Sequence, residues 1–279
     1  MNAVPSHWEQ VHQAAEAAGI SIDPLTELQD ADGIWRVLGS LWGEDILDGG
    51  IIRAVQHAGG LLYGARANDD LIGFVLGFAG FDQGLHVHSH ILGVLPEWQG
   101  RGVGYALKLA QRARCLDEGI EEVRWTYDPL VARNARFNLV KLGCIATRLF
   151  RGFYGEMTDK LNRGDRSDRF EVRWYVGSDR VERALRHEAQ SPPMGDLLLE
   201  AQGDADLPEP KETAAPPAPG AVIAIPRDHL QLRSKDPELG RRWRDTAADV
   251  FDACFEAGLA ASWMTEDGRY VFEPVEELR

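Results

Sequence analysis

Cysteine is scarce: Cys115, Cys144 and Cys254 are the three in 279 residues, far apart and odd in number. That excludes a disulfide framework or a CxxC metal knuckle and fits a reducing compartment. Long apolar runs are missing as well. No segment approaches the roughly 20 residues of a membrane span, and the N-terminal MNAVPSHWEQVHQAAEAAG carries no basic region followed by an apolar one. No membrane partner and a cytoplasmic location are therefore expected. Positive charge is in deficit, with 30 Lys+Arg against 44 Asp+Glu for a net −14. Nucleic-acid binding needs a basic footprint to neutralise phosphates, so a small molecule is the better expected partner. No internal repeat has a fixed period.

What is present is a regular alternation of elements. Ser6 and Glu9 have capping-box spacing, which predicts a helix over 6–18 stopped by Gly19. ISIDPLT (20–26) predicts a short strand, and helices follow at Ile34–Leu41 and Ile51–His57. LLYGARA and LIGFVLGFAG, separated by Asn68-Asp69-Asp70, read as a hairpin. LHVHSHILGVL (85–95) is a longer strand, and apolar residues at Val103, Ala106, Leu107, Leu109 and Ala110 predict a helix over 102–117. VRWTYD (123–128), ARNARFNLVKLG (132–143), Cys144–Tyr154 and Phe170–Val176 then predict strand, helix, strand and strand. The fold class this implies is α/β, or α+β: a mixed sheet with helices packed on it. Residues 1–190 form the main domain in this reading. Seven of the fourteen prolines fall within 191–220, amid acidic and alanine-rich filler, which predicts a flexible linker. AVIAIP, an amphipathic run from Pro237 to Leu259, and RYVFEP predict a small strand-helix-strand appendage over 221–279.

Gly100, Gly102 and Gly104 stand where a strand gives way to a helix, so backbone N–H groups can converge on an anion with no Cβ in the way. G-x-G-x-G is not the dinucleotide fingerprint, because Tyr105 stands where the third glycine belongs, and no G-K-[ST] follows to make a Walker A loop. By themselves the glycines serve equally as a helix entry with no ligand. Leu92-Gly93-Val94-x-Pro96 followed by Gln99-x-x-Gly102-x-Gly104 resembles the acyl-coenzyme A signature of the GNAT superfamily of N-acyltransferases. With the element order, the likeness covers about residues 20–176.

The resemblance implies a GNAT-like, mainly antiparallel sheet and an acyl donor, acetyl-CoA or succinyl-CoA. It places the pyrophosphate on the amides after Gln99, at Gly100, Arg101, Gly102, Val103, Gly104 and Tyr105, and the pantetheine arm along Leu92, Gly93 and Val94. Several longer segments, among them HSHILGVLPEWQGRGVGYALKLAQ (88–111), DPLVARNARFNLVKLG (128–143) and DPELGRRWR (236–244), are similar to a bacterial and archaeal subgroup of predicted acetyltransferases. Some members of that subgroup are associated with succinyl-CoA-dependent N-acylation of amino acids. The chain departs from its pattern at Asp165-Arg166, where Leu-Pro is expected.

His86, His88 and His90 share one face of an ideal strand, with Leu85, Val87, Ser89 and Ile91 on the other. Same-face positions lie about 7 Å apart, so a three-histidine metal site would be strained, and no carboxylate or cysteine motif completes one. Solvated or core-bonded histidines and an acid-base pair stay open. Acyl-transfer chemistry favours the last, because an attacking ammonium must lose a proton and a group titrating near neutrality can take it. The HxH pair resembles that of arylalkylamine N-acetyltransferases, which implies His88 and His90 as catalytic. The general acid is harder to place: the family's tyrosine before K-x-G is replaced by Leu139, and Tyr127 and Tyr154 are fallbacks. Asn134 and Asn138 are expected to hydrogen-bond the pantetheine or the neighbouring strand. An acceptor or acyl carboxylate calls for arginine; Arg151, Arg163 and Arg169 are the candidates, with surface pairing to nearby aspartates as their alternative. Trp125 and Tyr127 could line that pocket or belong to the core. The expected partner is a small-molecule amine, with a homodimer left open.

Overall fold

The protein is described by a computed structural model covering residues 6–43, 47–155 and 165–278. It divides into two compact units, one running to Arg124 and the other from Trp125 onward. Both are mixed, mainly antiparallel sheets flanked by helices.

In the first unit, α1 (His7–Ala18) starts at Ser6, whose hydroxyl accepts from the Glu9 N–H while Glu9 reaches back to the Ser6 amide. It ends at Gly19 in the left-handed conformation that glycine adopts without steric cost. Strands β1 (Ser21–Pro24), β2 (Leu61–Ala67), β3 (Asp70–Gly80) and β4 (His86–Val94) pair antiparallel in that order. β5 (Glu122–Tyr127) joins β4 in parallel through Val87–Val123 and His88–Arg124. The predicted hairpin turn is present, with Asn68 at φ 53. Helices α2 (Asp30–Leu41) and α3 (Gly49–His57) cover one face, burying Leu25, Ile34, Val37, Leu38, Ile52, Leu62, Phe74 and Leu76 as a single core. α4 (Val103–Asp117) covers the other face. A Cβ at Gly93 would meet Val37 and Leu41 of α2, whereas neighbouring Val94 lies beside Gly104 of α4.

In the second unit the strand order is β7-β6-β11-β12-β10-β8-β9. The predicted helix over 132–143 resolves into α5 (Ala132–Ala135) and a π-helical turn, Arg136–Lys141. The strand expected to reach Tyr154 ends early: β6 (Ile145–Phe150) stops at a turn, and β7 (Arg169–Tyr175) returns beside it. A short helix, α6 (Asp179–Leu185), follows. The segment expected to be a flexible linker contains an antiparallel hairpin, β8 (Leu197–Gly203) with β9 (Pro208–Glu212). Composition misleads there because β9 is an edge strand, where proline costs no ladder bond. The hairpin is held from outside by the buried Trp243, whose indole N–H donates to the Pro208 carbonyl at 2.7 Å.

The C-terminal region is larger than strand-helix-strand. β10 (Val222–Ala224), α7 (His229–Lys235), α8 (Pro237–Glu256), β11 (Leu259–Met264) and β12 (Arg269–Pro274) follow one another. β11 pairs with β6 through Ala261–Ala146, so this region continues the β6–β7 sheet. Among the described residues, no helix is long and apolar enough to cross a membrane.

A buried ion network fills one side of the second unit. Arg244, 3% exposed, makes a fork to both oxygens of Asp128 at 2.7 and 2.9 Å and also reaches Asp165. Asp165 takes further bonds from Arg233 at 2.9 Å and His229 at 3.3 Å. Burial opposes charge on both carboxyls, yet the surrounding cations outweigh it and hold them below the usual carboxylate range. Arg166 pairs with Asp168 and Asp245 beside it. Asp165 and Arg166, the departure from the subgroup's Leu-Pro, are thus both structural ion-pair partners.

Candidate active site

The site is assembled on β4 and the turn that follows. Gly77 pairs with Ser89 and Leu76 with Ile91, which leaves His90 as an extra residue, a β-bulge. Strict alternation therefore fails beyond Ser89. Ile91, expected on the face of Val87 and Ser89, instead packs into the α2–α3 core. Leu92, expected among the histidines' side, contacts Gly104 of α4. The bulge keeps His90 beside His88, with ring centroids 5.9 Å apart. His86 is buried and its Nδ1 lies 3.0 Å from the Gly84 carbonyl, which gives it a structural place at the hairpin end.

Both candidate bases are less basic than the sequence suggests. Burial is the main cause for His88, followed by His90, His86 and the ammonium of Lys108, and together they lower it to about 4. Partial desolvation by packed neighbours also lowers His90, although the residue keeps one side open to solvent. The pair is thus uncharged at neutral pH, the state in which an imidazole accepts a proton.

Pairing of β4 with β5 is confined to Val87 and His88 among the described residues, so the β5-facing edge of Ile91, Leu92, Gly93 and Val94 has no strand against it. At its end the Gln99 side-chain amide donates to the Val94 carbonyl at 3.0 Å, tying the turn to the strand. Gly100 and Gly102 have φ 77 and 91, and Gly102 is the N-cap of α4 without any side-chain cap. The N–H groups of Val103, Gly104 and Tyr105 open the helix and have no intrahelical acceptor. Backbone dipoles opened in this way are the kind of helix start that can receive an anion. Arg101 lies over the Trp98 ring at 5.2 Å, placing a cation at the rim. Tyr105 is half-buried, and burial raises its hydroxyl above the ordinary range. A side chain at position 102 must adopt a left-handed backbone costing about 1–2 kcal/mol. Gly102→Ala is accordingly expected to lower the thermal midpoint and to weaken binding of coenzyme A, measured by calorimetric titration.

Four of the sequence candidates for acceptor binding, Trp125, Tyr127, Arg151 and Arg169, lie in the second unit and are otherwise engaged. Trp125 packs edge-on against Trp174, and Tyr127 against Phe170 with its hydroxyl 3.2 Å from that of Tyr270. Both are core residues, because the strand that carries them has a sheet-on-helix core on that face. Arg151 is paired with Asp249 and Asp252 of α8 at 2.8 and 2.6 Å. Arg169 is buried, donates to the Asp168 carbonyl and lies 5.5 Å from the Tyr154 ring. Surface and core pairing thus takes four of these residues away from an open acceptor pocket, while Arg163 lies outside the described residues. Asn138 is buried with its carbonyl accepting from the Cys144 N–H, Asn134 is half-buried in α5, and Leu139 is buried. No group of three or more His, Cys, Asp or Glu side chains able to hold a metal occurs among the described residues.

Sequence reasoning passed over three residues around β4. Lys108, 3% exposed, donates to Ser89 Oγ at 2.8 Å and to Gln111 Oε1 at 3.2 Å, directly behind the histidine bulge. Phe78 lies in register with His88 on β3. The readable signal was in α4, where Gly104, Lys108, Gln111 and Cys115 recur at helical spacing and so share the face turned to the sheet.

The site thus consists of a split β4–β5 pair, a bulged strand and an uncapped glycine turn on an α/β fold. Residues 31–141, from α2 through the π-helical turn, match the model of the Acetyltransferase (GNAT) family. Among solved structures, the ribosomal-protein-S18-alanine N-acetyltransferase from Escherichia coli is similar at 16% identity and a TM-score of 0.47, covering 57% of this chain and 95% of that one. Naa50 of Arabidopsis thaliana, in complex with a bisubstrate analogue, is similar at 18% identity and a TM-score of 0.43, with 56% and 97% covered. An aminoglycoside acetyltransferase from an uncultured soil metagenomic sample is similar at 18% identity and a TM-score of 0.35, with 39% and 78% covered. No curated protein sequence shows a match to the chain.

Proposed function

We propose that the protein is a coenzyme A-dependent N-acyltransferase that passes an acetyl or succinyl group to the amine of a small molecule, with an amino acid as the leading acceptor class, in the cytoplasm. The observation that carries this is the continuity of β4. One strand leads from two uncharged histidines, through a bulge, along an edge unpaired among the described residues, and into a helix start that no side chain caps.

The residues fit the donor. The unpaired edge of Leu92 to Val94 suits an amide-bearing arm, which can pair with it as an added strand. The turn from Gly100 to Tyr105 suits a diphosphate, since Gly100 and Gly102 already occupy the left-handed region that lets their amides converge. When bound, acyl-coenzyme A supplies the activated carbonyl. The chain's part is to hold that carbonyl beside the Val94 backbone and to take the proton that the attacking amine loses, at His90 or His88. All three cysteines are buried and unbridged, which agrees with a reducing compartment.

One observation favours a second reading. Leu139, where family members carry a tyrosine, is buried, and this supports a catalytically silent acyl-CoA-binding module. Release of free coenzyme A from acetyl-CoA and succinyl-CoA, followed across a panel of D- and L-amino acids, aminoglycosides and N-terminal peptides, decides between them. Turnover with an amino acid is expected. Tight donor binding with no turnover on any amine would leave only the binding module.

A further inference from the structure

Phe78 is the one aromatic side chain of β3 that the proposed acyl transfer leaves unused and uncovered. Phe74 and Leu76, on the same side of the strand, are fully buried, whereas Phe78 is 41% exposed. Its ring centroid lies 5.2 Å from that of His88 and 5.8 Å from that of His90, and the two imidazoles are 5.9 Å apart. The three rings make a nearly equilateral cluster, tilted 38–47° to one another. His90 is exposed and His88 half-buried, so one side of the cluster faces solvent.

An aromatic face attracts a cation within about 6 Å of its centroid. The spacing inside the cluster is of that order, so a cation resting on the open side comes within reach of all three rings. Because partial desolvation lowers both imidazoles below their ordinary value, they are uncharged at neutral pH and do not repel it. Each also offers a ring nitrogen to an N–H donor. An anion gains none of these contacts, and an uncharged aliphatic group gains only the apolar one.

We propose that Phe78, His88 and His90 form a cation-accepting recess in which the acceptor docks as an alkylammonium, with Phe78 the specificity-determining residue; this rests on the acyl-transfer reading above. In the recess one ammonium N–H donates to an imidazole nitrogen. Before transfer that N–H bond breaks, its electron pair stays on the amine nitrogen, and the imidazole gains the proton; the freed pair then forms the C–N bond to the acyl carbonyl while the thioester C–S bond breaks and coenzyme A leaves as the thiolate, which takes a proton from solvent. The Phe78 face favours the charged form of the acceptor until that first N–H bond breaks.

The test uses choline, whose quaternary ammonium has no proton to lose, and its uncharged isostere 3,3-dimethyl-1-butanol. Binding to the full chain is read from the imidazole signals of His88 and His90 by nuclear magnetic resonance. Choline is expected to shift both signals saturably and the alcohol to leave them in place. Phe78→Leu keeps apolar bulk without the ring and is expected to weaken choline binding by roughly two- to fivefold, while Phe78→Tyr restores it. Equal binding of the two probes, or choline binding unchanged in Phe78→Leu, overturns the proposal and makes the recess an apolar shelf. Coenzyme A release is measured in parallel. Choline binding without acyl transfer on any amine removes the enzyme reading and leaves the recess; acyl transfer without choline binding removes the recess alone.

Discussion

The double variant His88→Ala/His90→Ala is expected to lose about 10²–10⁴ in kcat/KM, the range that one positioned acid-base group supplies, while its affinity for acyl-coenzyme A stays close to that of the wild type. Affinity is spared because the donor's contacts fall on Leu92 to Val94 and on the glycine turn, downstream of the bulge. Single variants are expected to lose less, since His88 and His90 are neighbours and either can take the proton. The pH dependence follows from the lowered histidines. With His88 at about 4, its accepting form is present across pH 6–8 and is lost only as pH falls through about 4. The sequence, by contrast, suggests a loss near the ordinary histidine value of 6.5. The wild-type kcat/KM profile should therefore show no limb from His88 between pH 6 and 7, and any limb from His90 should lie below the ordinary 6.5. Profiles and single-turnover rates for all three variants check this, and a double variant with wild-type rates throughout would remove the histidines from the mechanism.

Loss of stability, with no change of chemistry, is the expected result of Arg244→Ala. Its guanidinium is the shared partner of Asp128 and Asp165, and removing it leaves two buried carboxylates short of a partner. Breaking a buried pair in this way costs about 3–5 kcal/mol, which a urea unfolding midpoint read at constant slope will measure. Acid should mimic the substitution. Both carboxyls are held below the usual range in the folded chain, so their contribution is complete above the unfolded value of about 3.9 and is lost as pH falls toward the folded values. Arg244→Ala should accordingly flatten the acid limb of the wild-type stability curve. Similar unfolding midpoints for the two proteins at pH 7 would show that the network contributes nothing net.

Much of the first unit was legible because its signals are local. The Ser6–Glu9 box, the Asn68 turn and the apolar stripe of α4 each depend on neighbours within a few residues, and each element stands where its spacing predicts. The glycine turn was legible for the same reason, since positive φ at Gly100 and Gly102 is a backbone requirement written in residue type. The acceptor side was read less well. Arg151, Arg169, Trp125 and Tyr127 have the right chemistry for a pocket, but partners 98 and 101 residues away in sequence take Arg151, and core packing takes the aromatics. The proline-rich hairpin misled for a related reason, being ordered by a tryptophan 35 residues further on.

The sequence by itself determined the strand-to-helix turn, the residue types that line it, and the pair of histidines just upstream. The tertiary structure alone decided how those histidines stand and how basic they are. A one-residue bulge on β4 has no signature in an isolated strand, because it exists only in register against β3. It sets His90 beside His88 and Phe78 and turns Ile91 into the core. The burial that lowers both imidazoles and the Lys108 ammonium placed behind them are likewise properties of packed neighbours, and desolvation and charge proximity act through space, where sequence distance has no bearing.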